Sequence, residues 1–220
     1  MVVKRGAALA AGLVVVAGLV GGCAQKPGVA ATATPVSCGK TAEALPPVFS
    51  VGADGTVSWS CGDSPVVRGE TVTISTAEVA DVIALTETSE GVAVLADLYG
   101  VPNMTLTSSE AISTLVPMRI LLQVAEEHGV KVSDDEVADW LDQSGVEASN
   151  GARVIARVFL LDIAMYTLPE EQIQALVDDF SATLEGLDVR VNPRFGTFDP
   201  EQFSIVPPTW APTETFLTGF

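Results

Sequence analysis

Few side chains in this sequence can do more than carry charge or fill space. His128 is the only histidine in 220 residues, and Cys23, Cys38 and Cys61 are the only cysteines. One histidine and three scattered thiols do not make a zinc site, which needs four ligands at short paired spacings. No C-x-x-C redox pair is present, and neither are a G-x-S-x-G elbow, a Walker loop or an H-E-x-x-H helix. Asp134-Asp135 and Asp178-Asp179 are the obvious carboxylate pairs. A catalytic pair needs an apolar setting that raises one pKa, whereas both of these fall on polar helix faces and read as solvated charge. Alternating acids around a central Gly, the calcium-loop pattern, are also missing. His128 stands at the end of a helical pattern, where it reads as a capping or dipole-compensating residue, with a pH-sensing role as the alternative. The expectation is a protein without a catalytic residue, cofactor or metal.

The cysteines make sense once the first residues are read. Lys4 and Arg5 open a positive segment, and Ala7 to Val20 is apolar, the pattern of an export signal. That core is too short and too rich in Gly and Ala for a membrane span. It runs into Leu19-Val20-Gly21-Gly22-Cys23, which resembles a bacterial lipobox. The resemblance implies cleavage after Gly22 and a diacylated Cys23 as the mature N-terminus, on the extracytoplasmic face of the cell membrane. An ordinary secretory signal with a coincidental Cys is the alternative. With Cys23 lipidated, Cys38 and Cys61 remain as an even pair in an oxidising compartment, which favours a disulfide over a metal pair without companions.

Charge narrows the partners. Asp and Glu number 28 against 11 Lys and Arg, a net of −17. Nucleic-acid binding and polybasic membrane attachment both need the opposite sign. An acidic surface chiefly keeps a chain soluble.

The elements follow from periodicity. Residues 23–47 are small, Pro- and Thr-containing and without apolar periodicity, so they read as a flexible tether. Residues 48–62 hold two short runs of β-formers around Ala53-Asp54-Gly55, a hairpin that Cys38 and Cys61 would clip to the tether. Val66 to Ile74 reads as a strand, or a tight hairpin turning at Arg68-Gly69-Glu70, ending at an N-cap, Ser75 or Thr76, with Glu78 completing a capping box. The helical pattern after it breaks at Thr86–Gly91. From Ser108 to Glu127 the apolar spacing predicts a long helix capped by Ser108 or Ser109, which Pro117 either kinks or begins. Gly129 ends it, and Ser133 to Glu136 is a capping box for the next helix, with Val137, Trp140 and Leu141 inward. Ala152 to Thr167, capped by Ser149 or Asn150, is an apolar core helix stopped at Pro169, and Glu170 to Leu184 is the last helix. Leu187 to Val191 reads as a strand. The stretch from Pro200, with Pro207, Pro208 and Pro212, is expected to be an extended or disordered tail. Met104, Met118 and Met165 read as core packing, with an adaptable client surface as the alternative.

This order of parts resembles a known family. Ala125-Glu126-Glu127-His128-Gly129-Val130 followed by Lys131-Val132-Ser133-Asp134-Asp135-Glu136-Val137 is similar to the helical hairpin in the N-terminal domain of SurA-type chaperones and PrsA-like foldases, relatives of trigger factor. Asn192-Pro193-Arg194-Phe195-Gly196-Thr197-Phe198-Asp199 resembles an ending found in actinobacterial SurA-like lipoproteins. Physically it reads as a turn setting two aromatics against the core, with Arg194 available to a carboxylate. The resemblance covers residues 65–198. It implies a mainly α domain over residues 63–199, with five or six helices and a small β-element joining Val66–Ile74 to Val189–Val191. It also implies an apolar cradle for unfolded or extended exported polypeptides. The chain departs from bifunctional members in having no span of about a hundred residues for a parvulin domain, and isomerase activity does not carry over. An envelope-anchored holdase is the expectation, with an adaptor lipoprotein recruiting one specific partner as the alternative. Which residues would hold a client is not legible from the sequence.

Overall fold

The structure is a computed structural model, and it describes residues 28–38, 48–51, 57–61, 66–101, 104–200 and 202–209. Cys23, the expected signal over residues 1–22, and residues 210–220 lie outside these. The element order is β1 (Val29–Cys38), β2 (Val48–Val51), β3 (Val57–Ser60), β4 (Val66–Arg68), β5 (Val72–Ser75), α1 (Thr76–Leu85), α2 (Ser89–Tyr99), α3 (Ser108–Glu127), α4 (Asp134–Ser144), α5 (Asn150–Met165), α6 (Glu170–Glu185), β6 (Leu187–Val191), β7 (Thr197–Asp199) and β8 (Ser204–Val206). The architecture is helix-rich but mixed: six helices among the described residues, with small antiparallel sheets.

The largest departure from expectation is β1. Part of the stretch expected to be a flexible tether is the central strand of the main sheet. It pairs with β4 and β5 along one edge and with β6 along the other. The expected pairing of Val66–Ile74 with Leu187–Val191 is therefore not direct: β4, β5 and β6 are joined through β1, which lies between them. The reason lies in its sequence, Val-Ala-Ala-Thr-Ala-Thr-Pro-Val-Ser-Cys, in which Ala and Thr take the places where large apolar residues usually mark a strand. Ala30, Ala31 and Ala33 are fully buried, so small side chains are what the close approach requires. Pro35, unusual in a central strand, sits where its missing N–H is tolerated. Its carbonyl accepts from Gly69 N–H at 2.8 Å, and the partner edge bulges beside it. Between the pairs Val36–Arg68 and Ala33–Val72 that edge carries one extra residue.

Residues opposite one another in register share a face. Ala31, Ile74 and Val191 form one row and Ala33, Val72 and Val189 the next, all turned toward the helices. The opposite face is polar. Thr32 stands between Thr73 and Arg190, and the hydroxyls of Thr34 and Thr71 are 2.8 Å apart. Asp188, buried on this face, is held by Arg68 at 2.8 Å and Arg190 at 3.2 Å.

The helices form as their caps direct. Ser75, Thr107 and Ser133 each make a complete capping box with Glu78, Glu110 and Glu136. The cap of α3 is thus Thr107, one residue before the two serines expected to serve. Ser149 caps α5. The helix α3 runs through Pro117 without a break and ends at His128, with Gly129 left-handed at φ 77° and Val130 N–H bonded to Ala125 O at 2.8 Å. It supplies Ile112, Leu115, Val116 and Ile120 to the core, where they meet Val154, Ile155 and Leu161 of α5. Where α5 crosses α1 only a glycine fits: a Cβ on Gly151 would lie 2.7 Å from Asp81 Cβ and 2.9 Å from Glu78 O.

Two terminal pieces complete the fold. The hairpin β2–β3 forms as expected, and Cys38, the last residue of β1, is disulfide-bonded to Cys61 beyond β3. In the stretch expected to be a disordered tail, β8 pairs with β7 and buries Ile205. Ile205 N–H donates to Ser113 Oγ of α3 at 2.9 Å, and Ser109 Oγ donates to Phe195 O at 2.7 Å. Proline-rich flanks hid this hairpin in the sequence, because its one deeply buried apolar residue leaves no periodic signal.

Candidate functional site

The described surface includes two concavities of note. The larger, an open cleft of about 820 Å³, has β5 as one wall, the C-terminal half of α3 and the Val130–Ser133 turn opposite, and Arg157 and Leu161 of α5 at one end. Leu122 and Val132, both half-buried, provide its apolar surface, with Ala125, Val130 and Leu161 buried beneath.

The strand wall is built by hydrogen-bond alternation. Val36 N–H donates to Gly186 O and Asn192 N–H to Ala30 O, so even-numbered residues of β1 bond toward β6. Its odd-numbered residues then bond toward β5, where Ala31 faces Ile74 and Ala33 faces Val72. Thr73, between them, turns its N–H and C=O away from the sheet. Ser75 has the same outward sense, and its N–H donates to Glu78 Oε2 at 2.9 Å. Among the described residues no strand pairs with this outer edge of β5.

Charge in the cleft is balanced locally. Arg119 pairs with Glu78, Arg157 with Asp134, and Lys131 with Glu126 at 2.5 Å. Burial pushes the Glu78 carboxyl up, but donation from Ser75 N–H and the Arg119 guanidinium outweigh it and hold the group below the usual carboxylate range. Lys131 likewise lowers the Glu126 carboxyl. Arg119 Nε–H is buried without an acceptor among the described residues. With every cation of the cleft matched by a carboxylate, the site has no surplus positive charge for an anion. It offers instead a mixed polar and apolar surface beside a strand edge that no described strand pairs with.

The smaller concavity, about 560 Å³, lies between α2 and the α4–α5 pair. Trp140 and Phe159 stack obliquely in it, their ring centroids 5.0 Å apart. Glu90 and Asp97 line it and no Lys or Arg does. Ile163 and Tyr166, four and seven residues after Phe159, continue the same helix face at 48% and 82% exposure.

Among the residues singled out for possible chemistry all but one fall outside both concavities, although the family-like motif supplies Ala125, Glu126 and Val130 to Asp134 of the cleft and Trp140 lines the smaller concavity. His128 closes α3 and lies 2.8 Å from Asp179 of α6. Asp134 is the exception, at the cleft rim on Arg157, while Asp135 is exposed and Asp178 accepts from Gln174 Nε2 at 2.7 Å. No cluster of three or more His, Cys, Asp or Glu able to hold a metal occurs among the described residues. No helix among them is long and apolar enough to cross a membrane. Met118 is buried in the core under the Tyr99 hydroxyl, and Met104 and Met165 pack against the core. Phe195 and Phe198 pack against the core as expected, but Arg194 lies over the Phe195 ring, 4.4 Å from its centroid, and forms no ion pair among the described residues. Sequence reading missed the strand edge and the Glu78–Arg119 tie. The partners of that tie are 41 residues apart, and nothing local couples them.

Compared with known protein families, with curated proteins and with solved structures, the chain matches none.

Proposed function

We propose that this protein is a membrane-anchored extracytoplasmic holdase that binds unfolded or extended apolar segments of exported polypeptides without catalysis. The cleft between β5 and α3 carries the proposal: an open cleft whose three cations are all paired, with Leu122 and Val132 half-buried in it, suits uncharged extended chain. The SurA-like order of helices and the lipobox resemblance at Cys23 support the same reading and supply the location. Binding is reversible burial of client side chains against Leu122, Val130 and Val132, and the acidic surface keeps the loaded complex in solution. The test is light scattering of an unfolded secreted protein with and without the purified protein. Suppression near equal molar ratio is expected, and Leu122→Asp is expected to remove most of it while circular dichroism stays unchanged. Equal aggregation with and without the protein would defeat the proposal.

The second reading is an adaptor recruiting one envelope partner. The aromatic shelf of Trp140 and Phe159 favours it, because single-sign acidic flanks suit one complementary basic segment better than many clients. A stoichiometric complex lost on Phe159→Ala, with no suppression of aggregation, would select the adaptor.

A further inference from the structure

We propose that the client segment enters the large cleft as an extended strand and lengthens the main sheet at β5, hydrogen-bonding to the outward N–H and C=O of Thr73. This rests on the holdase reading and names how the chain is held.

Three observations point the same way. First, the alternation along β1 leaves Thr73 with both main-chain groups directed off the sheet, and no side chain among the described residues bonds to them. An unpaired strand edge beside an apolar cleft is a template for another extended chain. Second, the walls match the two faces of a strand. Side chains of an added strand that point the same way as Val72 and Ile74 turn toward the half-buried Leu122 and Val132 of the cleft, and those between them lie beside Thr71 and Thr73 in solvent. Such a site selects apolar residues at every second position and is indifferent to the rest, which suits many unrelated clients. Third, the three cations of the cleft are each neutralised by a neighbouring carboxylate, so recognition falls to main-chain groups and not to charge.

Charge decides the occupant. Each copy of this chain carries a formal net charge of −17, and the cleft has no unpaired cation to offset bringing two such copies together. The occupant is a lone, uncharged extended segment of another polypeptide.

The test uses a fluorescein-labelled seven-residue peptide of alternating Val and Thr and measures anisotropy against the full chain. Two N-methylated versions are compared, one blocking the N–H groups of odd positions and the other those of even positions. Strand addition predicts that one version loses at least tenfold in affinity while the other stays within twofold, because only one set of amides faces β5. On the protein side, Thr73→Pro removes the outward N–H without touching the bonds to β1, and a loss of about tenfold is expected. Thr73→Val keeps the main chain and is expected to bind as the parent. Should Thr73→Pro fail to fold, the methylated peptides decide alone. Equal binding of both methylated versions would overturn strand addition and leave the holdase reading standing on side-chain burial. No binding of the parent peptide would overturn strand addition, and the holdase reading falls only if aggregation is also unaffected. A dimer that Thr73→Pro dissociates would assign the edge to a second copy. Displacement of the labelled peptide by a peptide of residues 207–220 better than by unlabelled parent would assign it to this chain's own C-terminal segment. Either result overturns the proposal.

Discussion

Arg119→Met is the substitution that tests the electrostatics of the cleft most directly. It keeps a long unbranched side chain in α3 but removes the guanidinium beside Glu78. The Glu78 side chain is 6% exposed and Arg119 34% exposed. Removing one partner from a fully buried pair costs about 3–5 kcal/mol. Solvent at Arg119 screens part of that, and we expect a loss of about 2–3 kcal/mol at pH 7. Replacing both partners, Glu78→Gln with Arg119→Met, is expected to cost less than Arg119→Met alone, because Gln still accepts from Ser75 N–H and leaves no stranded charge. The pH dependence has a definite sign. The Glu78 carboxyl is held below 4.5 in the folded protein, so its contribution is present above 4.5 and disappears as pH falls through the folded value. Arg119→Met takes away much of that contribution, so the wild-type and variant stabilities should converge in acid. Urea unfolding followed by far-ultraviolet circular dichroism, at pH 7 and again near pH 3, measures both effects. A cost under about 0.5 kcal/mol at pH 7 would refute the reasoning, as would the same cost at both pH values.

Other expectations follow from single contacts. The Cys38–Cys61 bridge closes a separation of 23 residues, which corresponds to about 3 kcal/mol of unfolded-state entropy, and a Cys38→Ala, Cys61→Ala double variant should lose about that much in denaturant unfolding. Gly151→Ala should cost about 1–3 kcal/mol through overpacking at the α1–α5 crossing, read as a lower midpoint with an unchanged m-value. Burial pushes the Tyr99 hydroxyl up to about 12, so ultraviolet titration should show one tyrosine ionising late, and Tyr99→Phe should remove that step. The neutral form is the one the fold favours. Its stabilisation is complete below pH 10 and is lost as pH rises toward 12, so alkaline unfolding should begin in that window.

Local signals determined most of the helical part of this protein. Ser75 and Ser133 with their glutamates, Gly129 after His128, and the 3.6-residue spacing of apolar side chains are all readable within one or two turns, and five of the six helices form close to where they specify. The pairing of Cys38 with Cys61 was likewise legible, because cysteine number and the expected compartment leave few alternatives. What the sequence could not show depends on partners distant along the chain. Val29–Cys38 is a strand because the helices and strands around it leave room only for Ala-sized side chains, and Ala carries no strand signal of its own. Ser204–Val206 is a strand because Ser113 and the core of α3 receive Ile205. The candidate cleft is tertiary throughout: the edge of β5 that no described strand pairs with lies opposite the one β1 takes, and Arg119 meets Glu78 only once α1 and α3 have packed. Capping and periodicity act over a few residues and are written locally, whereas an edge, a recess and a buried ion pair are properties of what the fold sets side by side.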